Sequence, residues 1–173
     1  MASNQPTKAV DVIPNDAINI PEPGSYISGT NTGAGTTLDD AGATFVDGQT
    51  NPAGTGYSNK VAAGDVVYEP STGTIAKVES VDSNIKLTLS APGLTGGGAA
   101  YDIYRGNGGV INNKQGNEGF SLFVGTGGNI KVIPASSEDP VILKNVGNNS
   151  YVPLQVIRVF NTDTTASDIL ALE

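Results

Sequence analysis

The sequence predicts an all-β protein made of two small antiparallel β units, preceded by an extended proline-rich arm. Short apolar runs alternate with polar residues, and turn residues separate these runs at intervals of about ten residues. The 23 Gly and 10 Pro among 173 residues also disfavour a helical bundle. We expect a meander or small barrel followed by a jelly-roll-like sandwich. The predicted boundaries are residues 1–23 for the arm, 24–105 for the first unit and 106–173 for the second.

The arm contains four prolines, and each fixes its own φ and disfavours helix in the residue before it. It also carries apolar side chains that a solvated tail has little reason to contain, namely Val10, Val12, Ile13, Ile18 and Ile20. Two interpretations are open. The arm either docks on another molecule through these five residues or packs on its own domain as an edge strand.

The first unit begins with a stretch rich in Gly, Thr, Ala and Asn, residues 24–56, in which we expect loops and one or two short strands. Four clearer strands are predicted at 65–69, 74–81, 85–90 and 101–104. In the third of these, Ile85, Leu87 and Leu89 alternate with polar residues, which is typical of a half-buried strand. These strands are expected to form an antiparallel meander.

A Gly/Asn cluster at 106–109 marks the boundary with the second unit, in which strands are predicted at 120–124, 129–133, 141–146, 153–160 and 168–172. The strand at 153–160 is apolar on both faces, and a unit of about 65 residues rarely covers both by itself. We therefore expect a neighbouring subunit or the preceding domain to cover the second face. The predicted oligomer interface consists of Leu154, Val156, Arg158 and Phe160.

The composition removes most catalytic chemistry, because the chain has no Cys, His or Trp. Triads based on His and zinc sites built from Cys and His are excluded. Acidic residues lie in turns and at strand ends, where solvated structural carboxylates are common. An enzyme that uses two carboxylates remains an alternative, as does a calcium site at Asp39, Asp40 and Asp47, although no complete calcium loop motif is present. We predict no catalytic, cofactor or metal site.

Nine basic residues against 17 acidic ones leave a net charge of -8, which disfavours nucleic-acid binding. There is no run of about 18 apolar residues and no basic, apolar leader, so we expect neither membrane insertion nor secretion by a signal. The protein is expected to be made in a cytoplasm and to remain there until a larger assembly carries it out. Six tyrosines leave sugar stacking as an alternative.

Four segments of the second unit, residues 128–132, 140–146, 151–160 and 163–172, resemble small structural proteins of tailed bacteriophages, including those of cyanophages. In those proteins a strand of the form Leu-Pro-Val-x-Val-x-Arg-Val precedes a Thr-rich turn and the last strand. The resemblance covers about 45 of the 173 residues. Two positions depart from it: the chain ends in Glu173 rather than an aromatic residue, and Asn161-Thr162-Asp163 replaces a smaller turn.

The resemblance implies a virion structural protein, made in the host cytoplasm, that binds the outside of a capsid as a cement or decoration protein. Its expected partners are the major capsid protein and copies of itself, as a homotrimer, without nucleic acid or membrane. The arm would then contact a neighbouring capsid subunit. The alternative function is a receptor-binding or tail-fibre module that recognises host-surface glycan. The two differ in whether the protein binds capsids or sugars.

Overall fold

The computed structural model describes residues 5–24, 26–46, 60–90, 94–106, 119–137 and 139–173. Within these ranges the chain forms twelve strands and no helix, which confirms the all-β fold class. The strands are β1 Ala9–Asp11, β2 Ile27–Asn31, β3 Thr37–Asp39, β4 Val66–Glu69, β5 Thr74–Ser83, β6 Lys86–Leu89, β7 Ala99–Tyr104, β8 Phe120–Thr126, β9 Gly128–Pro134, β10 Val141–Val146, β11 Ser150–Val159 and β12 Ser167–Leu172.

The chain divides into two compact units, and each contains one six-stranded antiparallel sheet. One unit combines Met1–Gly24 with Lys114–Glu173, and we call it the discontinuous unit. The other, Ser25–Asn113, lies between these two segments in the chain, and we call it the inserted unit. The residues predicted to form an arm are therefore part of the same unit as the C-terminal strands.

The inserted unit has the strand order β2-β7-β4-β5-β6-β3, so β4, β5 and β6 form a meander. β7, which was expected as the fourth strand of that meander, pairs with β4 and β2 and not with β6. The Thr32 amide in the residue after β2 donates to the Asp39 carbonyl of β3 at 2.8 Å, which brings the two ends of the sheet together. Apolar side chains from the strands fill the interior because alternate residues point inward. The fully buried residues of this interior include Leu38, Phe45, Val67, Val78, Leu87 and Ile103.

The discontinuous unit has the strand order β1-β12-β8-β11-β9-β10. The long strand β11 pairs with β8 through its first part and with β9 through its last part, with register shifts between the two. The side chains on the inner face of this six-stranded sheet are buried, including Leu122, Val124, Ile130, Val132, Val156, Ile169 and Ala171.

The predicted strands correspond to β4 to β12, with ends that differ by a few residues. β11 begins at Ser150 and not at residue 153, because Ser150 and Tyr151 already pair with β8. β2 and β3 are the short strands expected in the Gly-rich stretch. The start of the chain contributes a further strand, β1.

Candidate interaction surface

The N-terminal segment lies along the discontinuous unit. β1 pairs with β12 and forms one edge of the sheet, so of the two interpretations of the arm the structure shows the edge strand. Val10 is 6% exposed and Ile20 is 4% exposed, while the other three apolar residues of the predicted arm, Val12, Ile13 and Ile18, are half-buried. In this conformation Val10 and Ile20 are not available to a neighbouring subunit.

Residues 15–20 are bonded to the last part of β11 and to the turn that follows it. The amides of Asn15 and Ile20 donate to the carbonyls of Val159 and Ile157, each at 2.9 Å. The Arg158 guanidinium donates from Nε to Asn19 Oδ1 at 2.7 Å. These contacts lie along one edge of the last part of β11, which is therefore occupied by the N-terminal segment of the same chain.

Asp16 fixes this segment to the turn after β11. Thr162 donates to its carboxylate from the backbone N–H at 3.0 Å and from the hydroxyl at 2.7 Å. These hydrogen bonds favour the charged form and hold the pKa of Asp16 below its usual value. The segment is therefore held by apolar burial at Val10 and Ile20 and by polar contacts between them.

The four residues predicted as an oligomer interface do not form one exposed surface. Val156 is fully buried in the core of the discontinuous unit. Arg158 binds the N-terminal segment, and Phe160 is half-buried with Lys131 Nζ 5.2 Å from its ring centroid. Leu154 is half-buried. Only parts of Leu154, Arg158 and Phe160 are accessible in this structure.

A different apolar surface lies on the opposite side of the same sheet from the core. Cross-strand register places Tyr151, Phe123 and Leu170 side by side on β11, β8 and β12. Leu172 follows two residues after Leu170 and therefore points to the same side. We call these four residues the outer face. Tyr151 is 55% exposed, and the other three are half-buried.

The sequence analysis did not identify the outer face because it considered two-sided apolar character only in residues 153–160. The signal was present in β12, where Ile169, Leu170, Ala171 and Leu172 are consecutive apolar residues. Ile169 and Ala171 are buried in the core, which leaves the two leucines on the outside. Contiguous apolar patches on a protein surface mark interaction sites when their exposed area is large.

The acidic residues of the inserted unit have structural partners. The Tyr101 hydroxyl donates to Asp40 at 2.8 Å, and the Gly42 amide donates to the same carboxylate at 2.8 Å. Burial and the Asp40 carboxylate raise the pKa of Tyr101, so the phenol remains neutral. A Cβ at Gly29 would lie 2.5 Å from the Tyr101 hydroxyl, so a larger residue there would displace the Tyr101–Asp40 pair.

Asp65 joins the first and last strands of the inserted unit. It is 5% exposed and accepts hydrogen bonds from the Tyr26 hydroxyl at 2.5 Å and from the Gly106 amide at 3.0 Å. Arg105 forms an ion pair with it at 3.2 Å and lies 3.6 Å from the centroid of the Tyr26 ring. This cluster connects the chain where it enters and leaves the unit, and it uses the acid as a structural acceptor.

The proposed calcium ligands do not form a cation site in the part of the chain that is described. Asp39 lies 3.9 Å from Lys86 Nζ, and Asp40 is occupied by the donors named above. Asp47 lies outside the described residues. Among the described residues, no three His, Cys, Asp or Glu side chains are grouped so that they could hold a metal ion.

Comparison of the chain with family models, with curated proteins and with solved structures finds no significant match. In the described ranges there is also no helix with the length and hydropathy needed to cross a bilayer.

Proposed function

We propose that this protein is a virion structural protein that binds the outside of a phage capsid and stabilises it as a cement or decoration protein. The observation that carries the proposal is the outer face, an apolar row across three strands. Its strands β11 and β12 overlap two of the segments that resemble phage structural proteins. We propose no catalytic, cofactor, nucleic-acid or membrane role.

The outer face supports adhesion for a physical reason. Covering an apolar side chain removes it from water and contributes about 1.5–3 kcal/mol when burial is complete. Since Phe123, Leu170 and Leu172 are already half-buried, each contributes less than this, and Tyr151 has the most area to lose. A modest contact gains affinity through avidity when an oligomer repeats it on several capsid subunits. Once one subunit of the oligomer is bound, the effective concentration of its other subunits at the capsid surface rises.

The proposal assigns capsid contact to the outer face and retains the homotrimer as part of the same hypothesis. The arm residues Val10 and Ile20 would have to leave their own core before they could reach a capsid subunit. The proposal does not require these two residues to contact the capsid, since the outer face is partly accessible. In this account the protein is made in the host cytoplasm and resides on the capsid surface.

The test uses heads of the encoding phage assembled without this protein. Purified chain is added, and bound and free protein are separated by sedimentation. We expect saturable binding and a higher temperature of head rupture. Light scattering of the free protein should give three times the chain mass of 17.6 kDa. Failure to bind the heads contradicts the capsid function, and a monomeric mass contradicts the trimer.

A receptor-binding module is the second candidate, and the exposure of Tyr151 favours it. A tyrosine ring that is 55% exposed on a sheet face can stack on a sugar ring. This candidate predicts saturable binding to members of a glycan array and loss of that binding in Tyr151→Ala. Sugar binding together with no affinity for undecorated heads would establish this candidate over the first.

A further inference from the structure

We infer that strand β10 pairs with β10 of a second copy of this chain, antiparallel and across a two-fold axis. The inference goes beyond the proposed function and does not depend on it. A contact of this kind joins two copies, so it is separate from the proposed homotrimer, in which three copies would surround a three-fold axis. Three features of this edge of the sheet support it: the backbone, the apolar side chains and the charges.

β10 is an edge strand of the sheet in the discontinuous unit. Its neighbour β9 places Lys131 opposite Ile142, and the Lys131 carbonyl accepts from the Phe160 amide at 2.9 Å, on the side of β9 away from β10. Antiparallel neighbours alternate between bonded and non-bonded pairs, so the N–H and C=O of Ile142 point away from β9, as do those of Lys144. In the described ranges, no segment other than β9 bonds to the backbone of residues 141–144.

The side chains at this edge are apolar on both sides of the sheet. Val141 lies opposite the buried Val132, so it points to the core side of the sheet. Leu143 lies opposite the buried Ile130 and points the same way, while Ile142 points to the outer side. Val141 is 39% exposed and Ile142 is 43% exposed. An edge that presents both unpaired backbone and apolar side chains is a template for another strand.

A second copy of β10 matches this edge when Ile142 lies opposite itself. Each Ile142 N–H then meets the Ile142 carbonyl of the other copy, and each Val141 lies beside Leu143 of the other copy. Lys144 faces Pro140, which accepts from the Lys144 amide through its carbonyl and has no N–H to leave unpaired. The pairing therefore forms backbone hydrogen bonds at its centre and at both ends, and it covers apolar side chains on both sides of the sheet.

The charges at the ends of β10 also select a second copy. Lys144 is the charged residue of this strand and is exposed, and the exposed Asp139 directly precedes Pro140. Because Lys144 faces Pro140 of the other copy, it lies beside the other copy's Asp139, and opposite charges meet at both ends of the contact. A lysine and a proline usually protect an edge from pairing. Here they restrict the partner to a strand that brings an acid to the lysine.

The other charges near this edge set the strength of the contact. Lys131, the cross-strand neighbour of Ile142, forms an ion pair with Asp163 at 2.9 Å. The two Lys144 residues are separated by about 13 Å along the strands, which exceeds the Debye length of about 8 Å. Glu138 lies outside the described residues. At long range the net charge of -8 on each chain opposes association, so we expect weak pairing that increases with protein concentration.

A single cysteine at residue 142 tests the two-fold axis directly, because the natural chain has no cysteine. In a hydrogen-bonded antiparallel pair the Cα atoms are about 5.5 Å apart, a distance that a disulfide can bridge. Ile142→Cys should therefore form a disulfide-linked dimer at least tenfold faster than Val141→Cys, measured on non-reducing gels. Val141 is the matched control, since its exposure is similar but the two Val141 Cα atoms would be more than about 7 Å apart. Equal rates overturn the inference.

Charge variants made in the Ile142→Cys chain test the register. Lys144→Glu and Asp139→Lys should each slow cross-linking severalfold, because each brings like charges together at both ends of the contact. The two substitutions in one chain exchange the signs and should restore the original rate. The inference fails if neither single substitution slows cross-linking.

Amide hydrogen exchange tests the contact in the wild-type protein. As the protein concentration rises, exchange should slow severalfold at Ile142 and Lys144, whose N–H groups become bonded, and stay unchanged at Val141 and Leu143, which already bond to β9. Exchange at Ile142 and Lys144 that does not depend on concentration overturns the inference. None of these measurements uses a capsid. If wild type binds undecorated heads but β10 does not pair, the proposed function stands and the inference fails; the reverse result has the opposite meaning.

Discussion

At the scale of single residues, the inserted unit uses carboxylates as structural acceptors, and two of them, Asp65 and Glu69, are buried. Asp40, Asp65 and Glu69 each receive donors from distant parts of the chain. The sequence analysis expected acids in turns and at strand ends to be solvated. The sequence pattern cannot show this burial, because it depends on which loop folds back over each carboxylate.

The Tyr101 hydroxyl is expected to stabilise the inserted unit through Asp40. Tyr101→Phe removes a buried donor to a charged acceptor, so the free energy of unfolding should fall by about 2 kcal/mol. Urea denaturation measures the change. Tyr151→Phe is the control, since its ring is exposed and the change should lie within about 0.5 kcal/mol. Equal, small effects of the two substitutions would show that the Asp40 contact is not stabilising.

Glu69 should make the inserted unit sensitive to acid. Burial raises the pKa of this carboxyl, but hydrogen bonds from Thr95 and Ser71 together outweigh burial and hold the pKa below its usual 4.5. A lowered folded-state pKa contributes stability above about pH 4.5, which is lost as the pH falls through the folded value. Glu69→Gln should be about 2 kcal/mol less stable at neutral pH.

The same variant should also lose stability less steeply than wild type as the solution is acidified. Unfolding free energies measured by urea denaturation from neutral pH to about pH 3 test this. Parallel pH profiles of stability for wild type and Glu69→Gln would show that Glu69 is not a source of the acid sensitivity.

At the scale of elements, the N-terminal segment is a structural part of the discontinuous unit. Ile20 is 4% exposed, and its amide donates to the Ile157 carbonyl of β11. Ile20→Ala should therefore cost about 2–5 kcal/mol, as other large-to-small core substitutions do. Hydrogen exchange should become faster at the amides of Asn15 and Ile20.

Ile85→Ala provides the control for Ile20→Ala. Ile85 is 47% exposed in the turn before β6, so its truncation should change stability by no more than about 0.5 kcal/mol. If Ile20→Ala is equally mild, the segment is not docked as the structure shows.

Strands in which apolar and polar residues alternate clearly could be predicted from the sequence. Strand ends that depend on pairing with a neighbouring strand could not. Leu87 and Leu89 are buried as the alternating pattern predicts, but Ile85 falls in the turn and is exposed. β1 has three residues between prolines and is a strand because it pairs with β12. No local sequence signal reveals this pairing. The outer face was missed for a related reason: deciding which side of β12 faces the core requires its partners β8 and β1.

At the scale of the whole molecule, the first and last strands of the inserted unit are neighbours within that unit. Ile27 near its start pairs with Ile103 near its end, and the cluster around Asp65 holds the same two strands. A unit whose two ends are adjacent can be carried between two segments of another fold without separating them. Such a topology is compatible with the pairing of β1 with β12, at opposite ends of the sequence.

We expect the two units to unfold separately, because each has its own core. Scanning calorimetry should show two transitions. Ile20→Ala should lower the temperature of one of them and Tyr101→Phe the temperature of the other. A single transition that both variants shift equally would show that the two units form one cooperative structure.

The central claim is that the protein adheres to a capsid through the apolar row on the solvent side of its discontinuous unit. Its most direct test is the number of copies bound per undecorated head, compared between wild type and the folded double variant Tyr151→Ser with Leu170→Ser. The account predicts saturation for wild type and a loss of at least tenfold in affinity for the variant. Equal occupancy of the heads by both proteins at protein concentrations below saturation would contradict it.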